Sequence, residues 1–296
     1  MERKTAHDFD QDLLILFDAY VHGGVDRRTF LDRASKYAVA GVTAVMLLEQ
    51  LSPKFLEAQV VKPGDERIQQ QYLEYASPNG YGTMRGYFAR PAGATGRAPG
   101  ILVIHENRGL NPHIEDIARR LAVDGFVAFA PDALFPLGGY PGDEDKAREQ
   151  FGKLEQPKSR EDFVAAAAFL KARPECTGKI GAVGFCYGGG MVNYLATRLG
   201  TDLSAGVSFY GSSPDLADVA KIRAPLMVQS AETDARINAS WSAFEEALRA
   251  AKVTYERHLY SGTQHGFNND TTPRYDAAAA KLAWERTVAF FRQNVR

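Results

Sequence analysis

What this chain has little of narrows its function before any motif is read. It carries two cysteines, Cys176 and Cys186, so no disulfide framework is expected, and a reducing compartment, the cytoplasm, is the simpler setting. Its net charge is -1, with no excess of one sign to attract nucleic acid or an anionic membrane surface. No apolar run approaches the roughly 20 residues of a membrane-spanning helix. There is no H-E-x-x-H motif, no comparable cluster of histidines and carboxylates, and no glycine-rich phosphate loop after a first strand, so neither metal nor cofactor is expected. What is left is an ordinary globular composition, 45% hydrophobic over 296 residues, enough for one large core with a small appendage.

From residue 66 the pattern alternates: "RIQQQYLEYASPNGYGTMRGYFARP" reads as a β-hairpin around Asn79-Gly80. Beyond it, apolar strands ("GILVIHEN", "FVAFAPD", "KIGAV", "AGVSFYG", "PLMVQSA", "TYERHLYSG") alternate with helical segments up to "PRYDAAAAKLAWERTVAFFRQNV". This order predicts an α/β fold, a mostly parallel sheet with helices on both faces and functional residues at the carboxyl ends of the strands. We expect a catalytic domain over 61–296 and a helical extension over 1–60.

The extension admits two readings. Arg27, Arg28, Phe30 and Leu31 followed by an apolar run from Tyr37 to Leu48 resemble a twin-arginine export signal, which would place the protein in the periplasm. Against that, an acidic amphipathic helix, "AHDFDQDLLILFDAYVHGG", precedes the motif, and no A-x-A cleavage site follows it. The favoured reading is a helical hairpin that turns at Gly23-Gly24, restarts with Asp26 as N-cap, and buries Phe30, Tyr37 and Val45 with Leu13, Leu14 and Phe17 on the body or across a homodimer.

The chemistry gathers around "GFCYGGG", residues 184–190, between a β-branched run and a helix with Met191, Leu195 and Leu199 at helical spacing. This is a strand, a sharp turn and a helix, with Cys186 at the apex and Gly184 and Gly188 letting the flanking backbones approach. A nucleophile there needs a base and an orienting acid, in the chain order nucleophile, acid, histidine. Asp234 follows one late strand and His265 the next. Glu232 competes with Asp234 but lies nearer the strand end. A thiol at a helix N-terminus beside an imidazole is biased toward thiolate. The oxyanion would be held by the backbone N–H of Tyr187 and, after the "GILVI" strand, that of Asn107. Cys176 reads as a core or surface thiol, and His105 as a residue that packs or lines the pocket, with no catalytic role assigned.

With "GFCYGGG", "HENRGL" followed by "IEDIARRLAVDGFVAFAPD", and "HGF" in this order, the sequence resembles the dienelactone hydrolase (carboxymethylenebutenolidase) family of α/β-hydrolases over roughly residues 66 to 294. The resemblance implies a cysteine hydrolase of lactones or small esters, with Glu106 contacting the resting cysteine and controlling its ionisation. Members acting on anionic dienelactones carry pocket arginines, one shortly after the histidine. Here that place holds Asn269, and the loop "ALFPLGGYPG" has no arginine, which leaves Arg108 and Arg274 as candidates for substrate binding. Thioesterase or peptidase activity on the same triad, or a non-hydrolytic binding or redox-sensing role, are the alternatives.

Overall fold

The computed structural model describes residues 4–39 and 41–296. Eight strands form one sheet in the order β1-β2-β4-β3-β5-β6-β7-β8. β1 (Ile68–Ser77) and β2 (Gly82–Pro91) are the expected hairpin, antiparallel from Ile68 opposite Pro91 to Ser77 opposite Gly82. β2 lies antiparallel to β4 (Val127–Pro131). From β4 across β3 (Ala98–Ile104), β5 (Cys176–Phe185), β6 (Ala205–Phe209), β7 (Leu226–Ala231) and β8 (Tyr255–Tyr260) every neighbour is parallel.

The central strands carry apolar side chains on both faces, as a sheet covered twice must. On β3, Ile101 and Val103 join the core under α4 (Pro112–Val123) and α10 (Ala277–Asn294). Leu102 and Ile104 point the other way, to the core under α6 (Gln156–Ala172), α7 (Tyr187–Leu199) and α9 (Trp241–Ala250). Each such side chain contributes about 1.5–3 kcal/mol by leaving water. Cys176 belongs to the second core, buried at the start of β5. α5 (Glu144–Phe151) and the short α8 (Ala235–Asn238) lie in connections at the carboxyl ends of the strands. The last helix begins at Ala277, later than the Pro273 of the apolar pattern, because the Asp276 side chain accepts from Ala279 N–H and sets the boundary there.

Ahead of the sheet lie three helices rather than a two-armed hairpin. α1 (Gln11–Val21) turns at Gly23, whose φ of 78° suits glycine, and α2 (Arg27–Ala34) starts from Asp26, which accepts from Thr29 N–H at 2.7 Å. The second arm then breaks. A 3-10 turn over Ser35–Tyr37 ends it, and α3 (Ala44–Leu51) restarts with Thr43 capping Met46 N–H. The break re-aims the apolar run: Leu47, Leu48 and Leu51 are buried with Leu13, Leu14, Phe17, Tyr20 and Phe30, Tyr37 packs at the margin, and Val45, expected inside, is 52% exposed. No helix among the described residues is long and apolar enough to cross a membrane.

This helical cap sits on the sheet's carboxyl edge through polar contacts. Arg27 Nη1 pairs with Asp145 at 2.8 Å, and the Tyr20 hydroxyl donates to the same carboxylate. Arg148 donates to Tyr20 O at 2.8 Å and lies over its ring. Asn107 Nδ2 and Arg108 Nη2 both reach Val21 O at 3.1 Å, and Lys54 N–H reaches Thr271 O at 2.8 Å.

Candidate active site

Cys186 stands between β5 and α7 with φ 56° and ψ -112°, a conformation a non-glycine residue keeps only when its surroundings enforce it. The enforcement is steric. A Cβ on Gly184 would lie 2.1 Å from Gly188 O, and one on Gly188 would lie 2.2 Å from Ile104 O. With those side chains absent, β3, β5 and the first turn of α7 close tightly enough to lift the thiol to the N-terminal end of α7.

The turn after β8 brings His265 beside it. His265 Nδ1 lies 2.5 Å from Asp234 Oδ2, both side chains being buried. Asp234 also accepts from Ile237 N–H as the N-cap of α8, which fixes its rotamer. Glu232 is turned elsewhere, accepting from Ser261 Oγ–H at 2.9 Å and Gly262 N–H at 2.7 Å. Burial raises the Asp234 pKa, but the hydrogen bond and charge of His265 outweigh it and hold the carboxyl below its ordinary value. Burial likewise opposes ionisation of the Cys186 thiol, yet the neighbouring His265 and His22 prevail and bring it down to about 6. The His265 pKa is raised for the reciprocal reason.

His22 is the residue that sequence reasoning passed over. It ends α1, and its Nε2 lies 3.3 Å from Cys186 Sγ. Its ring meets that of His265 edge to face, with centroids 4.7 Å apart. Asp18, one turn earlier, faces His22 Nδ1 at 3.3 Å, and Arg236 Nη2 approaches His22 Nε2 at 3.3 Å. The acid and histidine four residues apart on a helix were legible as a pair, but nothing in the linear pattern says that this helix end lies over the elbow. Among the described residues, His22, Cys186 and His265 are the one group of cysteine, histidine and acidic side chains whose donor atoms converge, all within 4.8 Å. A thiol flanked by two imidazoles, each with a carboxylate at its Nδ1, is arranged for proton transfer and nucleophilic attack.

The remaining expected residues surround a cavity of about 270 Å³ that cap and body line together. Glu106 is there, accepting from Asn269 Nδ2 at 2.9 Å; the thiol's own hydrogen-bond partner is His22 Nε2 at 3.3 Å. Asn107 and Tyr187 border a smaller chamber with Cys186, His22 and His265. Arg108, buried, is 3.5 Å from Glu144, and Arg274 Nη1 is 3.0 Å from Asp18 Oδ1. His105 lies wholly inside the fold, its Nε2 accepting from Ala133 N–H, and burial lowers its pKa to about 4. It supports the loop and does not face the thiol.

A doubly covered, mostly parallel sheet with a nucleophile elbow and an Asp–His pair on two later loops defines an α/β-hydrolase. The chain belongs to the dienelactone hydrolase family, whose model matches residues 84–295, and it is a hydrolase of carboxylic esters. A second model, YqhI-like, matches residues 1–39. The chain is 50% identical over 108 residues to "Putative hydrolase fragment YghX" of Escherichia coli, which covers 36% of this chain and 92% of that one. It is 35% identical over 226 residues to "Protein usf" of Aquifex pyrophilus, covering 71% and 93%. Among solved structures, one described as a "Putative Dienelactone Hydrolase" from Klebsiella pneumoniae superposes with a TM-score of 0.67 at 29% identity, covering 76% of this chain and 99% of that one.

Proposed function

We propose that the protein hydrolyses neutral lactones or small neutral esters through a covalent acyl-enzyme on Cys186. The observation that carries this reading is the buried Asp234–His265 pair with the His265 ring nitrogen within 4.8 Å of Cys186 Sγ, where the strained elbow presents the thiol and an imidazole can balance its charge. The thiolate attacks the carbonyl carbon and the π-electron pair moves to oxygen, where the backbone N–H groups of Tyr187 and Asn107 receive the oxyanion. Collapse breaks the C–O bond to the leaving group, which takes the proton held by an imidazolium beside the thiolate. Neutral His265 then accepts a proton from water as the water oxygen bonds to the acyl carbon; the C–S bond breaks and the thiolate returns. Asp234 holds the His265 tautomer throughout. Glu106, on the wall of the same cavity, would govern the thiol's ionisation when it turns away from the imidazoles.

The preference for neutral substrates rests on charge pairing around the cavity. Its three arginines already face carboxylates: Arg27 faces Asp145, Arg108 faces Glu144, and Arg274 faces Asp18. Glu106 and Asp143 add further negative charge. In this cavity a substrate carboxylate would lose its water without meeting an unpaired arginine, at a cost that a neutral acyl group avoids; Arg236 lies in the smaller chamber, against His22 and His265. The cavity volume suits a short acyl chain.

Turnover of p-nitrophenyl acetate, of a neutral lactone and of an anionic dienelactone, with Cys186→Ala as control, tests both parts. The expected result is turnover of the neutral compounds at least equal to that of the anion and its loss in the variant. Full turnover by Cys186→Ala would remove the nucleophile, and a strong preference for the anion would remove the charge argument.

A further inference from the structure

The two helix ends that meet at the thiol have opposite polarity. Cys186 sits at the N-terminal end of α7, where the helix dipole favours an anion, and His22 sits at the C-terminal end of α1, where it favours a cation. His22 Nδ1 is engaged from its own helix, 2.8 Å from Asp18 O and 3.3 Å from Asp18 Oδ1, so Nε2 is the atom left to face Sγ. Asp18 is anchored in turn by Arg274 at 3.0 Å. This repeats, from the opposite end of the chain, the relation of Asp234 to His265. Residues 18 and 22 lie in the segment outside the dienelactone hydrolase match.

We propose that His22 is a second catalytic histidine, oriented by Asp18 and delivered by the N-terminal cap, that stores the Cys186 proton as an imidazolium and so leaves His265 neutral to activate water. The proposal rests on Cys186 being the nucleophile. In the resting enzyme the S–H bond breaks, an Nε2–H bond forms on His22, and the electron pair stays on sulfur. When the C–O bond of the tetrahedral adduct breaks, the leaving oxygen takes that proton from His22. In deacylation His265 takes a proton from water, the C–S bond breaks, and the electron pair returns to sulfur. The proton on His265 then passes through the thiol to His22, and the product acid ionises to solvent.

The charges around His22 fit this division. Asp18 and the thiolate attract the proton; Arg236, at 3.3 Å, and His265 oppose it. Burial also disfavours the imidazolium, but Cys186 and Asp18 outweigh it and raise His22 to about 10. Burial and the His22 charge both work against a proton on His265, while Cys186 and Asp234 raise its pKa, so the two imidazoles compete for one proton.

The test compares the full-length protein with His22→Ala, His22→Gln and Asp18→Asn by two readouts: the pH profile of Cys186 alkylation by iodoacetamide, and kcat and KM on p-nitrophenyl acetate. Alkylation of the parent should rise through a midpoint near 6. In His22→Ala and His22→Gln the midpoint should move up by about a unit or more, slowing alkylation at pH 6 by about 5-fold or more. The kcat should fall about 10²-fold, a general acid–base effect, with KM changed little and with added imidazole restoring part of the rate to His22→Ala. Asp18→Asn should show the same direction at smaller size. His22→Gln keeps a hydrogen-bond donor but no titrating proton, so it carries the test if His22→Ala loosens the cap. An unchanged alkylation midpoint in folded variants would reduce His22 to packing, and a rise in kcat would make it a block on the thiol; either overturns the proposal. Failure of the nucleophile reading shows separately, as turnover retained by Cys186→Ala.

Discussion

The body of this enzyme and its N-terminal cap are held together by different forces. Strands β1–β8 and the helices after them share two apolar cores, one on each face of the sheet. The cap has a core of its own, from Leu13 to Leu51, separate from both. Where cap and body meet, the contacts include ion pairs, hydrogen bonds and two arginines over aromatic rings, Arg148 over Tyr20 and Arg274 over Phe17. A polar junction of this kind resembles interfaces between domains that move, whereas a shared apolar core does not come apart short of unfolding. The candidate site is therefore lined from two sides: the body carries Cys186, Asp234 and His265, and the cap, joined to it by polar contacts, carries Asp18 and His22.

The largest effect expected from breaking this comparison is on the body. Cys186→Ala should lower ester turnover by about 10⁴-fold or more while cap and body both stay folded, read by kinetics and circular dichroism. Next comes the interior of the cap. Phe30 is fully buried, and Phe30→Ala should cost the cap about 3–5 kcal/mol. Hydrogen exchange should then rise across α1–α3 with little change in the body; equal loss in both regions would mean that they form one cooperative unit.

Third, Asp234→Asn should lower kcat by about 10²-fold by releasing the His265 tautomer, more than Asp18→Asn does, because in the proposed mechanism His265 alone activates water. The smallest effect is at the junction. Arg27→Ala with Arg148→Ala should destabilise docking by about 1 kcal/mol, since Arg27–Asp145 is a partly exposed pair and Arg148 adds a hydrogen bond to Tyr20 O, and raise KM a few-fold, more so at high salt. Docking also has a pH signature. The folded-state pKa of His22 is raised, so its contribution is complete below 6.5 and lost as pH rises through about 10. Asp18 is lowered, so its contribution is complete above 3.8 and lost on acidification. Limited proteolysis at Gly23-Gly24 should accelerate outside that window.

Legibility in the sequence followed the same division. The sheet was readable because each strand declares itself by composition, and the elbow because Gly184 and Gly188 are demanded by close backbone approach. The order of Cys186, Asp234 and His265 could be placed because strand order in this fold dictates which loops meet. The cap has no such rule. Its helices and the Asp26 cap were visible, but where they dock depends on arginines scattered from Arg27 to Arg274, whose partners lie far away in the chain. For that reason His22 was passed over and Val45 was placed inside. Arg108 and Arg274 were visible as charges, but not as charges already matched.

The connection from cap to body runs only from Ser52 to Ile68, and it is pinned on the way where Val60 and Val61 N–H donate to Asp116 and Arg119 donates to Val61 O. A short tether turns docking into an intramolecular event whose effective concentration is on the order of millimolar. A histidine contributed by a neighbouring subunit would be withdrawn by dilution. On this tether His22 is present at the same occupancy in a nanomolar solution as in a concentrated one, so with the role proposed for it specific activity should be independent of enzyme concentration.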